Sequence, residues 1–282
     1  MRLSALVGAV MTAMTVSGSA LFACRAHAAP ARHDSHSGST STAAPRPTAI
    51  STVVDPTLVT FPATDGTLLS ADLYAARDET RAPIILLFHQ AASNGGEYAD
   101  IAPHLVELGW NALAVDTRAG GRMWNRNNRT VMRLGRSTDF LSAYPDLEAA
   151  LAWAKERGYA RPIVVWGSSY TSALVLRLAA EHEDVGAVLS FSPGEYLGPG
   201  EPVRAAAAKV KVPIFVTTAS GHEVDVARWI LDGSPSVLKV QYVPTVGVHG
   251  SSTLRKDRNP GGADENWEAV ASFLAQLRSR TR

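Results

Sequence analysis

One segment near the middle of the chain changes from strand-like to helix-like character at a single glycine. Residues 161–180, RPIVVWGSSYTSALVLRLAA, begin as a short apolar run that breaks at Gly167 and continues with apolar residues at helical spacing. This pattern predicts a strand that turns sharply into a helix, with Ser169 at the turn. A serine there projects its hydroxyl from the sheet edge beside a helix N-terminus, whose free N–H groups favour negative charge. Ser169 is therefore a candidate nucleophile for attack on a carbonyl carbon.

Apolar runs and helix-like segments alternate along the chain from Val53 onward. The two opening strands are joined near Asp65-Gly66, a dipeptide typical of hairpin turns, and helices separate most of the later strands. That order predicts an α/β fold with a mostly parallel eight-stranded sheet flanked by helices. The predicted strands are 57–62, 68–74, 84–89, 112–116, 163–166, 187–191, 214–218 and 237–243. The predicted helices are 98–108, 145–157, 170–183, 204–209, 224–231 and 264–278.

The N-terminal region has the features of a targeting segment. Residues 1–28 are predicted to be a signal peptide, because a short basic start precedes an apolar run and Ala26-His-Ala28 fits the small-x-small cleavage pattern. Leu21-Phe-Ala-Cys24 also resembles a bacterial lipobox, in which Cys24 would become the lipidated first residue. An uncleaved membrane anchor is a third alternative. We expect a secreted or periplasmic protein, or a membrane-anchored lipoprotein if Cys24 is lipidated.

Composition limits the remaining possibilities. Residues 29–52 are rich in Ala, Ser, Thr and Pro and are predicted to be a disordered linker, which leaves 53–282 as the folded domain. Cys24 is the only cysteine of the chain, so either cleaved form lacks thiol chemistry and a cysteine-based metal site within the domain. A formal net charge of +1 gives no indication of a nucleic-acid partner.

A serine nucleophile needs a histidine base and a carboxylate that orients the histidine, and in a strand–turn–helix arrangement of this kind they follow in the order serine, acid, histidine. His249 lies in the small-residue loop 247–252, downstream of a predicted strand, and is the candidate base. Glu223 is the preferred acid, because it follows the predicted strand 214–218 just before a helix. Asp225 and Glu195 remain open as alternatives.

Two backbone N–H groups are needed to stabilise the negative charge on the attacked carbonyl oxygen. One is expected from Tyr170, the residue after the nucleophile. The other is expected from the loop after the third strand, from Ala91 or its rival Gln90. His89 precedes them at a strand end, where we expect it to orient the loop by hydrogen bonding rather than to act as a base.

Together these segments resemble the α/β-hydrolase superfamily, and within it the dienelactone-hydrolase-like and small esterase branches. The resemblance covers Val53 to the C-terminus, with the motifs HQA at 89–91, GWNALAVDTR at 109–118, the serine turn and HGSS at 249–252. Two residues depart from the family pattern: Thr171 replaces the second glycine of Gly-x-Ser-x-Gly, and Gln90 replaces the glycine usual after His89. The family's cysteine-nucleophile variant is excluded, since no cysteine lies at the turn.

Two further features bear on the substrate. Six arginines and no acidic residue lie between Asp116 and Asp139; Gly120, Gly121 and three asparagines favour a loop there. One hypothesis is that this basic segment helps to wall the site and favours anionic substrates, and the other is a solvated loop whose arginines pair with carboxylates. Residues 192–211, where relatives insert a lid, are short and rich in Gly and Pro, so no large lid is expected.

The sequence therefore predicts a secreted serine hydrolase that cleaves small carboxylic esters through an acyl-enzyme on Ser169, with no cofactor and no metal. A serine peptidase of the same fold is one alternative. A non-catalytic binding protein that keeps the fold is the other, because a fold alone does not establish activity.

Overall fold

The computed structural model describes residues 54–280 and contains one eight-stranded sheet of order β1-β2-β4-β3-β5-β6-β7-β8. The strands lie close to the predicted positions, because each is an apolar run bounded by turn residues. Their bounds are β1 (Thr57–Pro62), β2 (Leu68–Tyr74), β3 (Pro83–Phe88), β4 (Asn111–Asp116), β5 (Ala160–Ser168), β6 (Val185–Phe191), β7 (Ile214–Thr217) and β8 (Lys239–Tyr242).

The sheet is mostly parallel, as predicted. β1 and β2 form the expected antiparallel hairpin, and β2 pairs antiparallel with β4. All other neighbouring strands pair parallel. Because β4 lies on one side of β3 and β5 on the other, the winding direction reverses at β3. Crevices that bind ligands form at the carboxyl ends of strands at such a reversal, and here those ends carry the 89–94 loop and Ser169.

Helices cover both faces of the sheet. Alternate strand residues point to opposite faces, so Ile84, Leu86 and Phe88 contribute to one buried cluster while Ile85 and Leu87 contribute to the other. The first cluster is completed by α3–α6 and the second by α1 and α7. The helices are α1 (Ala102–Glu107), α2 (Arg129–Leu134), α3 (Tyr144–Glu156), α4 (Tyr170–Glu181), α5 (Pro202–Ala207), α6 (His222–Leu231) and α7 (Ala263–Arg280).

Two regions near the sheet's carboxyl edge carry a short helix each. The loop predicted for the basic segment is wrong for residues 129–134, which form α2, because the Asn128 side chain accepts from the Val131 N–H at 2.8 Å and caps the helix. Between β6 and β7 the described chain has only loop and the six-residue α5, so there is no large lid. The fold class is thus confirmed.

The predicted signal peptide at 1–28, with its alternative processing site at Cys24, and the predicted linker at 29–52 lie outside the described residues. Among the helices of residues 54–280, none is both long and apolar enough to cross a membrane.

Candidate active site

Ser169 lies at the sharp turn between β5 and α4. Its φ of 58° and ψ of −121° are unusual for a residue with a side chain, and such strain is typical of functional turns. Gly167 permits the turn, since a Cβ at this position would lie 2.3 Å from the Thr171 carbonyl oxygen. The Ser169 side chain is partly exposed, so its hydroxyl is accessible at the carboxyl edge of the sheet.

The structure brings three of the predicted residues together from the ends of three strands. The Ser169 Oγ lies 2.9 Å from the His249 Nε2, and the His249 Nδ1 lies 2.8 Å from the Glu223 Oε1. Ser169 follows β5, Glu223 is in the first turn of α6 after β7, and His249 follows β8. This is the hydrogen-bond chain that a serine, a histidine base and an orienting carboxylate require.

The two alternative acids lie in different environments. Asp225 pairs with Arg228 at 2.8 Å on the exposed side of α6. Glu195 accepts from the backbone N–H groups of Val203 and Arg204 at 2.9 and 2.8 Å, and so caps the start of α5. Of the three candidate acids, Glu223 is the one whose carboxylate reaches His249.

The charged forms of Glu223 and His249 stabilise each other. The hydrogen bond from His249 holds the pKa of Glu223 below its usual range, and the same bond raises the pKa of His249 against the opposing effect of burial. The other carboxylate oxygen of Glu223 accepts from the Ser192 Oγ at 2.7 Å and from the Ala219 N–H at 3.2 Å. With the Nδ1 proton donated to Glu223, the His249 Nε2 is free to accept the Ser169 proton.

The backbone of the 89–94 loop distinguishes between the two candidate donors. The Gln90 N–H donates to the Glu97 Oε2 at 2.8 Å, so it is already engaged. The N–H groups of Ala91 and Tyr170 have no acceptor among the described residues. Tyr170 is the first residue of α4, where a backbone N–H has no intrahelical partner.

His89 orients this loop, as expected from its position. Its Nε2 lies 3.0 Å from the Thr117 N–H, which it accepts, so the proton is on Nδ1 and is donated to the Gln90 carbonyl at 2.7 Å. Complete burial lowers the pKa of His89, which favours the neutral ring. The Gln90 carbonyl belongs to the same peptide unit as the Ala91 N–H, so His89 fixes the direction of that donor.

Thr171, which stands in place of the usual glycine, fastens the turn to the end of β3. Its Oγ1 accepts from the Ser168 N–H at 2.8 Å and lies 2.7 Å from the Phe88 carbonyl oxygen. The hydroxyl thus occupies the narrow space between α4 and the two strands, and it satisfies backbone groups that a glycine would leave to other partners.

Most arginines of the basic segment are engaged within the fold. Arg126 pairs with the buried carboxylates of Asp72 and Asp116, and Arg129 pairs with Asp72 at 2.7 Å. Further pairs join Arg118 to Asp65 and Asp146, and Arg133 to the Leu68 carbonyl and Ser70. The side chains of Arg122 and Arg136 are exposed.

Arg122 lies beside the 89–94 loop. A Cβ on the preceding Gly121 would lie 2.8 Å from the Ala92 carbonyl oxygen, and the Sδ of the following Met123 lies 3.6 Å from the Gln90 Nε2. Residues 121–123 therefore border the candidate site.

Within residues 54–280, no group of three His, Cys, Asp or Glu side chains is arranged to hold a metal ion.

The sequence profile of the family described as serine aminopeptidase, S33, matches residues 79–241, more than half of the chain. The chain belongs to the serine aminopeptidase S33 family. This hydrolase therefore falls within the α/β-hydrolase superfamily, in agreement with its fold. No curated protein sequence matches the chain.

Solved structures of the same fold share little sequence with the hydrolase. The esterase Pf2001 from Pyrococcus furiosus superposes with a TM-score of 0.61 at 19% identity, covering 79% of this chain and 93% of that one. Est1E from Butyrivibrio proteoclasticus, solved with ferulic acid bound, gives 0.58 at 16% identity, covering 76% and 97%. The acylaminoacyl peptidase of Pyrococcus horikoshii gives 0.58 at 14% identity, covering 78% of this chain and 41% of that one.

Sequence reasoning missed several residues that build the hydrolase site. Ser192 bridges Glu223 and the Gly250 N–H, which donates to its Oγ at 2.9 Å. The Tyr196 hydroxyl donates to the Ser192 carbonyl at 3.2 Å. Burial and the charge of Glu223 raise the pKa of Tyr196, whereas the Ser169 side chain lowers it. Glu97 contacts both Gln90 and Ser168. Only the position of Ser192, directly after a strand of the sheet, could have drawn attention to it.

Proposed function

We propose that the chain is a serine hydrolase that cleaves carboxylic esters through an acyl-enzyme on Ser169. The observation that carries the proposal is the continuous chain Ser169 Oγ, His249 and Glu223, with separations of 2.9 and 2.8 Å. A serine hydroxyl is a weak nucleophile at neutral pH, and this arrangement supplies the base and the group that orients it.

The reaction follows from these contacts. The His249 Nε2 takes the Ser169 proton while Oγ bonds to the ester carbonyl carbon, and the carbonyl electron pair moves to the oxygen. The N–H groups of Ala91 and Tyr170 donate to that oxyanion. Collapse expels the alcohol oxygen, which receives the proton from His249. A water molecule then gives its proton to His249 as it attacks the acyl carbon, and the carboxylic acid leaves with Ser169 restored.

The open site supports small esters as substrates. No large lid separates Ser169 from solvent in the described chain, and esterases are among the proteins of the same fold. A small esterase of the dienelactone-hydrolase-like branch remains our proposal for the subfamily, on the motifs at His89, Ser169 and His249. A site with one nucleophile and two N–H donors is suited to acyl transfer, and carboxylesters are the acyl substrates that we propose.

The direct test is hydrolysis of p-nitrophenyl esters of graded acyl length by the wild-type protein and by Ser169→Ala. We expect turnover of short acyl esters by the wild type and a loss of at least about 10³-fold in kcat for Ser169→Ala. The adjacent Ser168→Ala is the control and should keep measurable turnover. Equal activity of Ser169→Ala and the wild type would contradict the proposal.

A serine peptidase is the second candidate, because the matching family is described as a serine aminopeptidase. Aminoacyl p-nitroanilides and p-nitrophenyl esters of the same amino acids separate the two functions. Each kcat/KM is first divided by the rate constant for uncatalysed hydrolysis of the same substrate. After this correction, the value for the ester should exceed the value for the anilide by about 100-fold. Preference for the anilide would favour the peptidase.

We further propose that Arg122 gives the site a preference for esters that carry a negative charge. Arg122 is exposed and stands in the sequence between Gly121 and Met123. Both of these neighbours contact the 89–94 loop. Arg122→Ala should raise KM for an acidic ester and leave a neutral ester unchanged, whereas Arg136→Ala, an exposed arginine beyond α2, should affect neither. Equal effects of Arg122→Ala on both esters would rule out this preference.

We also propose that the protein is exported, on the basis of the signal-like residues 1–28. N-terminal sequencing of protein from the culture medium and from membranes distinguishes the processing sites. A start at Ala29 supports ordinary cleavage, whereas membrane retention that is lost in Cys24→Ser supports lipidation. Protein found only in the cytoplasm would contradict export.

A further inference from the structure

Glu97 is a completely buried carboxylate beside the candidate active site that the proposed mechanism does not use. It lies in a short 3-10 turn, Gly95–Tyr98, between β3 and α1. Its side chain has no solvent exposure. Because an isolated buried charge is costly, a carboxylate in such a position indicates a role that compensates for the cost.

The two oxygens of Glu97 bind two different loops of the site. Its Oε2 accepts from the Gln90 N–H at 2.8 Å, and its Oε1 accepts from the Ser168 Oγ at 2.6 Å. Ser93 Oγ lies at 3.5 Å from Oε2. Glu97 therefore joins the loop that carries Ala91 to the turn that carries Ser169.

Ser168 extends this connection to the loop of His249. The Ser168 Oγ, which donates to Glu97, accepts from the Ser251 N–H at 2.9 Å. Gly250 permits this approach, since its φ is +69° and a Cβ at this position would lie 2.5 Å from the Ser168 Oγ. One carboxylate thus holds three loops, and each loop carries one proposed participant in the reaction.

Glu97 and His89 together determine the direction of the Ala91 N–H. Glu97 binds the N–H of Gln90, and the Nδ1 of His89 binds its carbonyl oxygen at 2.7 Å. With both backbone groups of Gln90 held, the peptide unit that ends in the Ala91 N–H has little freedom to rotate. Removing either contact would allow that donor to turn away from the oxyanion.

The positive charge of Arg255 acts on Glu97 and lowers the pKa of its carboxyl, but burial raises that pKa more. The Arg255 Nη1 donates to the backbone carbonyl of Glu97 at 3.1 Å, while its guanidinium pairs with Asp100 and Asp257 at 2.7 and 3.0 Å. Burial raises the pKa of Glu97 to about 7. The other titratable groups that interact with it are His249, Tyr98 and Tyr170.

We propose that ionised Glu97 is a positioning residue that sets the Ala91 N–H, the Ser169 turn and the His249 loop in their reactive arrangement. This inference rests on the proposed function of the site. As a carboxylate, Glu97 accepts from Gln90 and Ser168 at once. A proton on Oε2 would oppose the Gln90 N–H and break that contact. A proton on Oε1 would instead donate to the Ser168 Oγ, and the Ser168 hydroxyl proton would lose the acceptor it has in Glu97.

Glu97→Gln tests the inference, since it keeps the shape but places an amide NH₂ where one of the two acceptors stood. We expect kcat for the ester to fall about 10- to 100-fold with KM nearly unchanged, because the Ala91 contact strengthens in the transition state. In the wild type, both His249 and Glu97 must be deprotonated, so the acid limb of log kcat/KM against pH should approach a slope of about 2. In Glu97→Gln only His249 titrates, and the slope should be about 1.

Asp146→Asn is the matched control. Asp146 is also completely buried and accepts from the Arg118 N–H and Nε at 2.7 Å, but it bonds to none of the three loops. It should lower Tm while keeping the wild-type acid slope and kcat. If Glu97→Gln does not fold, Ser168→Ala removes the hydroxyl that links Glu97 to the other two loops, and it should lower kcat without raising KM.

The outcomes separate the two proposals. If the wild-type protein hydrolyses esters and Glu97→Gln keeps the wild-type kcat and acid slope, the proposed role of Glu97 is wrong, and the proposed function of the site still stands. The same conclusion would follow if Asp146→Asn changed kcat and the acid slope as strongly, or if Ser168→Ala left kcat unchanged. A wild-type protein without ester hydrolysis would overturn both proposals.

Discussion

At the scale of the residue, Glu223 and Asp225 are separated by one position yet have different chemistry. Glu223 is half-buried and bonds His249, Ser192 and the Ala219 N–H, whereas Asp225 is exposed and pairs with Arg228. The first turn of α6 directs the first side chain toward the site and the second toward solvent. Sequence position favoured Glu223, but only the fold separates the two carboxylates by their contacts.

Glu223→Gln should therefore lower ester kcat/KM about 10³- to 10⁴-fold, since the amide no longer favours the correct His249 tautomer or its charged form. Asp225→Asn should stay near the wild type. Because Glu223 raises the pKa of His249 above 6.5, wild-type activity should be lost as the pH falls through that raised value. In Glu223→Gln, the acid limb of the residual activity should move to lower pH. Equal losses of kcat/KM in Glu223→Gln and Asp225→Asn would contradict the assignment of Glu223 as the acid.

At the scale of the element, the β5–α4 turn is held by contacts to β3 that are distant in sequence. Thr171 joins the Ser168 N–H to the Phe88 carbonyl, and the Tyr98 hydroxyl donates to the same carbonyl at 2.6 Å. The family's glycine allows close packing of helix and strand by its small size. This chain reaches a tight turn with a hydroxyl that bonds the backbone.

Thr171→Val keeps the shape of the side chain but removes the hydroxyl, which leaves the buried Ser168 N–H without its acceptor. We expect the free energy of unfolding in urea to fall by about 1–3 kcal/mol. Thr171→Ser, which keeps the hydroxyl, should lose less than Thr171→Val. A smaller loss in the valine variant than in the serine variant would show that the hydroxyl does not fasten the turn.

The basic segment, residues 117–138, also connects strands of the sheet. Arg126 links Asp72 of β2 to Asp116 at the end of β4, so the segment that precedes α2 is held against the sheet. Arg126→Ala should lower the free energy of unfolding by about 3 kcal/mol, because it leaves buried carboxylates with fewer partners. Its activity on acidic and neutral esters should change by the same factor, and selective loss on acidic esters would contradict this structural role.

At the scale of the whole molecule, the strands were predictable because buried parallel strands are apolar runs between turn residues. The helix α2 was missed although Asn128 and Gly135, with φ of 73°, are ordinary cap residues. The contacts of Glu97 could not be predicted, since Ser168 lies 71 residues away along the chain. Local patterns predict elements, whereas the connections between loops depend on how the sheet brings its strand ends together.

The buried carboxylate of Glu97 should also affect the stability of the whole fold. The pKa of Glu97 is about 7 in the fold against an ordinary value of 4.5, so the folded state holds a proton that the unfolded state releases between these values. Stability should therefore fall as the pH rises from 4.5 to 7, by up to about 3 kcal/mol. Relative to the wild type, Tm of Glu97→Gln should increase from pH 5 to pH 8; a constant difference would contradict the raised pKa.

Labelling with a fluorophosphonate probe shows whether Ser169 is the nucleophile, because such a probe reacts preferentially with an activated serine. The wild-type protein would be labelled and digested, and the modified residue located by peptide mass spectrometry. We predict one adduct on Ser169, absent from Ser169→Ala and still formed in Ser168→Ala. An adduct on Ser168, or labelling that persists in Ser169→Ala, would contradict the assignment.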